Sequence, residues 1–192
     1  MNTPSPALSR VVVVGSFNVD HVWRCDTLPV AGATIAGRYA SGPGGKGFNQ
    51  AIAAVRAGAD TTFVCALGDD AGGRWARDLA DADGLTLRVQ ASEEPTGTAG
   101  IYVDAHGRNT IVIGAGANAI LSADFTTGQA DVLAATSVVL AQLESPVDTV
   151  LAALQAGRQC GASTLLNPAP ANATHGSALP ICTPAFDQLL FS

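Results

Sequence analysis

Polar side chains suited to a small polar ligand stand at the ends of three apolar runs in this 192-residue chain. Asn18 and Asp20 follow Val11 to Val14 and a short Gly15-Ser16-Phe17 link. Their spacing of two turns both toward one side of an extended segment. A carboxylate and an amide together can grip a pair of vicinal hydroxyls; their other use is an Asx turn that closes the strand. Glu144 stands directly after Ser137 to Leu143, and Asn167 ends the run Thr164 to Leu166. A fourth place is Ser41-Gly42-Pro43-Gly44-Gly45-Lys46-Gly47-Phe48-Asn49-Gln50. It reads as a glycine-rich turn feeding a helix. Glycine lets a ligand approach the backbone closely. The free N–H groups and dipole of a helix start favour an oxyanion or a ring of hydroxyls. Lys46 adds a mobile positive charge, and Asn49 a donor and an acceptor on the first turn. The Walker pattern fails here, because position 40 is Ala and Gly47 follows the lysine. Gly42, Gly44 and Gly47 match a dinucleotide fingerprint formally, but they do not directly follow the first strand, so that reading is rejected.

The elements that must position these residues follow from pattern. Val11 to Val14 is a β-branched run, as in a buried parallel strand. Phe48, Ile52, Val55 and Ala59 lie on one helix face, and that helix stops near Gly58. Thr61 to Leu67 is a second strand, ending at Gly68-Asp69-Asp70-Ala71-Gly72-Gly73 before a helix with Trp75 and Leu79. Asp69 and Asp70 are read as helix-capping residues in preference to metal ligands. Residues 21 to 40 look like short antiparallel strands of a flap. Thr98 to Val103 and Thr110 to Ile113 flank a hairpin turn that completes it. Gly114-Ala-Gly-Ala-Asn118 is a small-residue loop, and Ser122 a candidate N-cap. Ser145 and Pro146 are expected as N-cap and first residue of a helix whose buried stripe is Val147, Val150, Leu151 and Leu154. Polar residues recurring at strand ends suggest a ligand in the crevice above a parallel sheet.

Composition narrows the function classes. Hydrophobic residues make up 47% and aromatics 5%, which suits an α/β domain with small side chains between helices and sheet. Net charge is −6 with no basic run, so nucleic acid is not an expected partner. No apolar stretch approaches a membrane span, and Met1 to Arg10 does not read as a secretory signal. A cytoplasmic protein is expected. Cys25, Cys65, Cys160 and Cys182 are scattered, as are His21, His106 and His175, which argues for reduced thiols and against a zinc site.

Five segments come in the order and approximate spacing of a known family: Gly15-Ser-Phe-Asn-Val-Asp20, Gly44-Gly-Lys-Gly-Phe-Asn-Gln-Ala51, Gly68-Asp-Asp-Ala-Gly-Gly73, Gln142-Leu-Glu-Ser-Pro146 and Asn167-Pro-Ala-Pro-Ala171. On these motifs the chain resembles the ribokinases, within the PfkB-type carbohydrate kinases, over about residues 10 to 172. The resemblance implies a ribokinase-like, Rossmann-type α/β sandwich, with a mostly parallel sheet, helices on both faces and a small β lid. Residues 1–10 are expected as a flexible tail. Residues 11–192 would be the N-terminal part of one kinase domain, with lid segments at about 21–40 and 98–113. The implied activity is ATP-dependent phosphorylation of D-ribose at its 5-hydroxyl. In that reading Asn18 and Asp20 hold sugar hydroxyls, and Gly44, Gly45, Lys46 and Asn49 form the sugar-side wall. Glu144 accepts a further hydroxyl, and Asn167 is a cofactor-binding candidate. ATP and Mg²⁺ with a monovalent cation (K⁺) are the implied cofactors, ribose the partner, and a homodimer through the lid the implied assembly.

The resemblance also marks departures. The family's later G-A-G-D segment, which supplies an anion hole and the general base, is not found; Gly114-Ala-Gly-Ala117 lacks the aspartate. Thr183-Pro-Ala-Phe-Asp-Gln188 reads as a T-P-N-x-x-E segment with Ala185 and Gln188 at the amide and carboxylate positions. The expectation is therefore a chain that carries the sugar-binding half. The catalytic base, most of the ATP site and any metal ligand would lie in a missing C-terminal part. The alternatives are a non-catalytic sugar-binding or dimerising module, and a kinase for another sugar or a nucleoside.

Overall fold

Four consecutive valines, Val11 to Val14, set the centre of the sheet in the computed structural model, which describes residues 9–170 and 187–189. The chain runs β1 (Arg10–Val14), β2 (Asn18–Arg24), β3 (Arg38–Gly44), α1 (Lys46–Arg56), β4 (Asp60–Gly68), α2 (Ala71–Asp83) and β5 (Thr86–Ser92). It continues with β6 (Gly97–Val103), β7 (Asn109–Gly114), a 3-10 turn (Gly116–Ile120), α3 (Ala123–Thr127) and α4 (Ala130–Ala134). The last elements are β8 (Val138–Gln142), α5 (Val147–Gln159), β9 (Ser163–Asn167) and β10 (Gln188–Leu189). Six strands form one sheet in the order β10-β9-β8-β1-β4-β5, every pair parallel. Four form a second sheet in the order β3-β2-β6-β7.

Alternation along the strands divides the core into two layers. Val12, Val14, Val64, Ala66, Val139 and Ala141 pack on one face with Val150 and Leu154 of α5. Val13, Phe63, Cys65 and Leu67 pack on the other with Phe48 and Ile52 of α1 and Ala76 and Ala80 of α2. Val12, Val13 and Val14 are at most 1% exposed; each such burial is worth about 2 kcal/mol. This is an α/β sandwich with a mostly parallel sheet and a small β lid, as the resemblance implies. No helix among the described residues is long and apolar enough to cross a membrane.

Several local expectations are corrected. The glycine-rich stretch is not a broad turn: Ser41 to Gly44 belong to β3, paired with β2, and only Gly45 makes the turn. The lid strands are longer at the site end than segments 21–40 and 98–113, since β2 begins at Asn18 and β6 at Gly97. Nor is the lid wholly antiparallel, because β2 and β6 run parallel. Pro146, not Ser145, occupies the N-cap position of α5, with no side-chain cap bond. Ser122 does cap α3, accepting from the Phe125 N–H at 3.1 Å. Gln188 opens β10 opposite Leu165, and the Asp187 N–H donates to the Thr164 carbonyl at 2.7 Å. Gln188 therefore lies inside a strand, level with the middle of β9, and not in a loop beyond a strand's carboxyl end, where the crevice opens. Thr183 to Phe186, most of the tail expected at 1–10 and Cys182 lie outside the described residues; Arg10 itself starts β1.

Asp70 ties the lid to the sheet. Its carboxylate caps α2 by accepting from the Gly73 N–H at 2.7 Å. It also accepts from the Thr96 N–H and hydroxyl, each at 2.7 Å, just before β6. Burial works against its charge, but these bonds outweigh burial and hold its pKa below the usual value. Asp70→Ala is expected to lower stability by about 1–2 kcal/mol, read by urea unfolding. A depressed folded-state pKa means that the stabilisation is complete above the unfolded value of about 3.9. It is lost as pH falls through the lower folded value. The gap between wild type and variant should thus be full at neutral pH and shrink in acid; a gap independent of pH contradicts this account.

Candidate functional site

The strand order reverses between β1 and β8, because the chain leaves β1 toward β4 on one side and returns through β8 and β9 on the other. A crevice opens at the carboxyl ends of strands at such a point. Ser16 follows β1 there and Glu144 follows β8. The Ser16 hydroxyl donates to Glu144 Oε2 at 2.5 Å, and the Lys46 backbone N–H donates to the same oxygen at 2.8 Å. Gly45, the N-cap of α1, has φ 90° and no side chain with which to cap. Only glycine adopts that turn readily. The Glu144 carboxylate supplies the missing acceptor and meets the positive end of the helix. Its Oε1 bonds to nothing among the described residues.

Asp20 lies beside this carboxylate on β2. It is half-buried and accepts no hydrogen bond among the described residues. Its side chain covers the Gly44 Cα so closely that a Cβ there would lie 2.3 Å from both carboxylate oxygens. Burial, then the Glu144 charge, push its pKa up, while His21 opposes them. A half-buried carboxylate without a donor is suited to a ligand hydroxyl. Asn18 is buried two residues earlier. Pairing puts Asn18, Asp20, Ala99, Ile101, Ile111 and Ile113 on one face of the lid. The other face carries Trp23 stacked on Tyr102 at 5.3 Å and close to Tyr39 at 5.2 Å. A cavity of about 300 Å³ is bordered by Asn18, Asn118 and Glu144 and walled by Ile113, Leu143 and Pro170.

Of the residues expected from sequence, Asn18 and Glu144 border this cavity, with Asp20 and Gly44 next to them. Gly45 is buried against Ser16. Lys46 reaches the site through its backbone N–H, and its side chain makes no ion pair among the described residues. Asn49 does not border the cavity; it is exposed and flanks a separate one of about 370 Å³ with Pro43, Ile52 and Arg56. Asn167 is buried and accepts from the Ala169 N–H at 3.2 Å in its own turn. Two residues were missed. Ser16 stands inside the Gly15 to Asp20 motif, where its type and spacing alone give it no role. Asn118 contacts Phe17 across 101 positions, a pairing that no local pattern announces. No three His, Cys, Asp or Glu side chains come together to hold a metal ion among the described residues.

Glu144→Gln removes the charge that raises Asp20. The carbon-13 titration of Asp20 should then move down toward the ordinary carboxylate value. An Asp with a raised folded pKa destabilises the fold as pH rises from the unfolded value through the folded one. The variant should lose part of that pH dependence, and an unmoved Asp20 midpoint would contradict the coupling.

The family model for "pfkB family carbohydrate kinase" matches residues 8–186. Ribokinase of Mus musculus is 41% identical over 168 residues, covering 86% of this chain and 52% of its own. A solved ribokinase from Giardia lamblia superposes with a TM-score of 0.87 at 32% identity, covering 96% of this chain and 57% of its own. The ribokinase of Arabidopsis thaliana, solved with ribose and ATP, gives a TM-score of 0.73 at 25% identity, covering 96% and 72%. The chain spans 31%, 52% and 56% of the length of three curated relatives that it matches. With this match over most of its length, the chain belongs to the pfkB family of carbohydrate kinases.

Proposed function

We propose that this chain supplies the sugar-holding part of a cytoplasmic ribokinase, which phosphorylates D-ribose at its 5-hydroxyl with ATP as donor. The family's sugar kinases are phosphotransferases, and the narrower reading rests on one observation. Asp20, without a hydrogen-bond donor of its own, stands with Asn18 and Glu144 at the switch-point crevice beneath the apolar lid face. Asn18 and Asp20 would hold adjacent hydroxyls, and Glu144 Oε1 a further one. The lid face with Ile113 would cover the sugar and exclude water, which strengthens these polar contacts. ATP supplies the phosphoryl group in the reaction. No group of three His, Cys, Asp or Glu side chains occurs among the described residues, so none of them is named as a ligand for Mg²⁺ or K⁺. Asp20 is a sugar ligand in this reading and not the base.

Ribose binding by calorimetry is the direct test, followed by a sugar phosphate assay with ATP and Mg²⁺. Other pentoses, hexoses and nucleosides are titrated alongside. Ribose at 100 times its Kd should raise stability by about 2.7 kcal/mol. Asp20→Ala should remove that protection; unchanged protection takes Asp20 out of the site. Ribose bound without turnover supports the sugar-holding role for this chain.

We also propose a homodimer through the lid. Ile111, Val112 and Ile113 of the outer strand β7 are 48%, 65% and 50% exposed, an apolar run that a second lid would cover. Ile111→Asp should move the sedimenting species from dimer to monomer, whereas a wild type that sediments as monomer rejects the dimer.

A further inference from the structure

We infer that Asn118 fixes the orientation of the Asn18 amide, so that the site presents a hydrogen-bond donor at Asn18 and acceptors at Asp20 and Glu144. The inference rests on the sugar reading above for its ligand, but its polarity follows from the backbone alone. The Phe17 N–H can only donate, and it donates to Asn118 Oδ1 at 3.0 Å. The other end of the Asn118 amide is therefore Nδ2, which donates to the Phe17 carbonyl at 3.0 Å and to Asn18 at 2.8 Å. A side-chain NH₂ only donates, so the Asn18 atom that it meets is Oδ1. The two N–H bonds of Asn18 Nδ2 are left with no partner among the described residues, and Asn18 borders the cavity. Asn18 and Asn118 are 4% and 2% exposed, so water does not readily compete for this contact.

Gly97 shows how closely the pair is housed. A Cβ there would lie 2.1 Å from Asn118 Nδ2 and 2.4 Å from Asn18 Oδ1. Gly97 has no positive φ, so it provides space for the amide pair and not an unusual turn. The consequence is chemical. A sugar hydroxyl is both donor and acceptor. It can accept from Asn18 while its neighbour donates to Asp20, so the two positions do not compete for the same protons. If Asn18 turned its oxygen outward, Asn18, Asp20 and Glu144 would all present acceptors. Asn118 is thus a positioning residue, acting through Asn18.

The test compares wild type with Asn118→Asp, Asn18→Ala, the double variant and Gly97→Ala. An aspartate at 118 still accepts from the Phe17 N–H but cannot donate to Asn18, whose amide should turn over. In nitrogen-15 spectra of the unliganded protein, the wild-type Asn118 NH₂ should exchange slowly and the Asn18 NH₂ fast. In Asn118→Asp the Asn18 NH₂ should become protected. Ribose affinity should fall about tenfold, the loss of roughly one hydrogen bond. Once Asn18 is Ala, the change at 118 should cost nothing further, measured at proportionally higher ribose. Gly97→Ala should weaken ribose with both asparagines retained, which keeps the test decisive if Asn118→Asp fails to fold. A protected Asn18 NH₂ in wild type overturns the inference, and so does an equal affinity loss in both Asn18 backgrounds. Wild type that binds no pentose but shows the stated amide pattern overturns the sugar reading and supports the donor assignment.

Discussion

One carboxylate oxygen joins three parts of the chain that are distant in sequence. Glu144 Oε2 accepts from Ser16 at the end of β1 and from the Lys46 N–H that begins α1, while Glu144 itself ends the β8 connection. The sheet brings β1 and β8 side by side, but hydrophobic packing alone does not specify how their ends face each other. Hydrogen bonds to an ionised acceptor are directional and stronger than neutral ones. They fix the first turn of α1 against the crevice and leave one carboxylate oxygen for a ligand. Gly45 suits this arrangement because its own lack of a side chain leaves the helix end open to Glu144.

The two acidic groups that matter most carry opposite signs in stability. Asp70 is surrounded by donors, so its charge supports the fold, and it does so at the junction of α2 with the lid. Asp20 is half-buried without donors beside a second negative charge, so its ionisation opposes the fold. The same residue type therefore supports the fold in one place and is left without donors in the other, and the difference is the set of neighbouring N–H and O–H groups. Polar groups left unsatisfied in a free site are those that a ligand can satisfy.

Much of the sandwich could be read from local pattern. The β-branched run at Val11, the helix stripe through Phe48 and Ile52, and the apolar run before Glu144 each imply their element within a few residues. Asn18, Asp20 and Glu144 were legible for a related reason: polar residues after buried strands have few positions to occupy. The glycine stretch misled because glycine is compatible with both turns and strands. In Ser41 to Gly44 the pairing with β2 decides, and that pairing depends on residues 20 to 26 positions away. Ser145 looked like a cap because Ser-Pro has that pattern, yet the chain leaving Leu143 brings Pro146 to the cap position instead. Gln188 fits a motif by spacing alone, and only its pairing with Leu165 reveals that it belongs to a strand, level with the middle of β9. Asn118 required tertiary structure altogether.

The lid joins the body through stiff roots and not through loose loops. Gly45 alone separates the last residue of β3 from the first of α1. Two residues, Phe17 and Ser16, separate β2 from Gly15, and Asn118 holds Phe17 on both its N–H and its carbonyl. The start of β6 is held by Asp70 through Thr96. Such a sheet is a cantilever, clamped at its base and free at its far end. Bending then grows with distance from the clamp. On that argument the turn around Asp104 to Arg108, remote from the clamp, is the part with most freedom to bend, and Asn18 and Asp20 at the base have least. In the proposed sugar reading, exchange of a ligand would thereby be separated from recognition, the tip governing how the sugar comes and goes and the base keeping Asn18 and Asp20 in register.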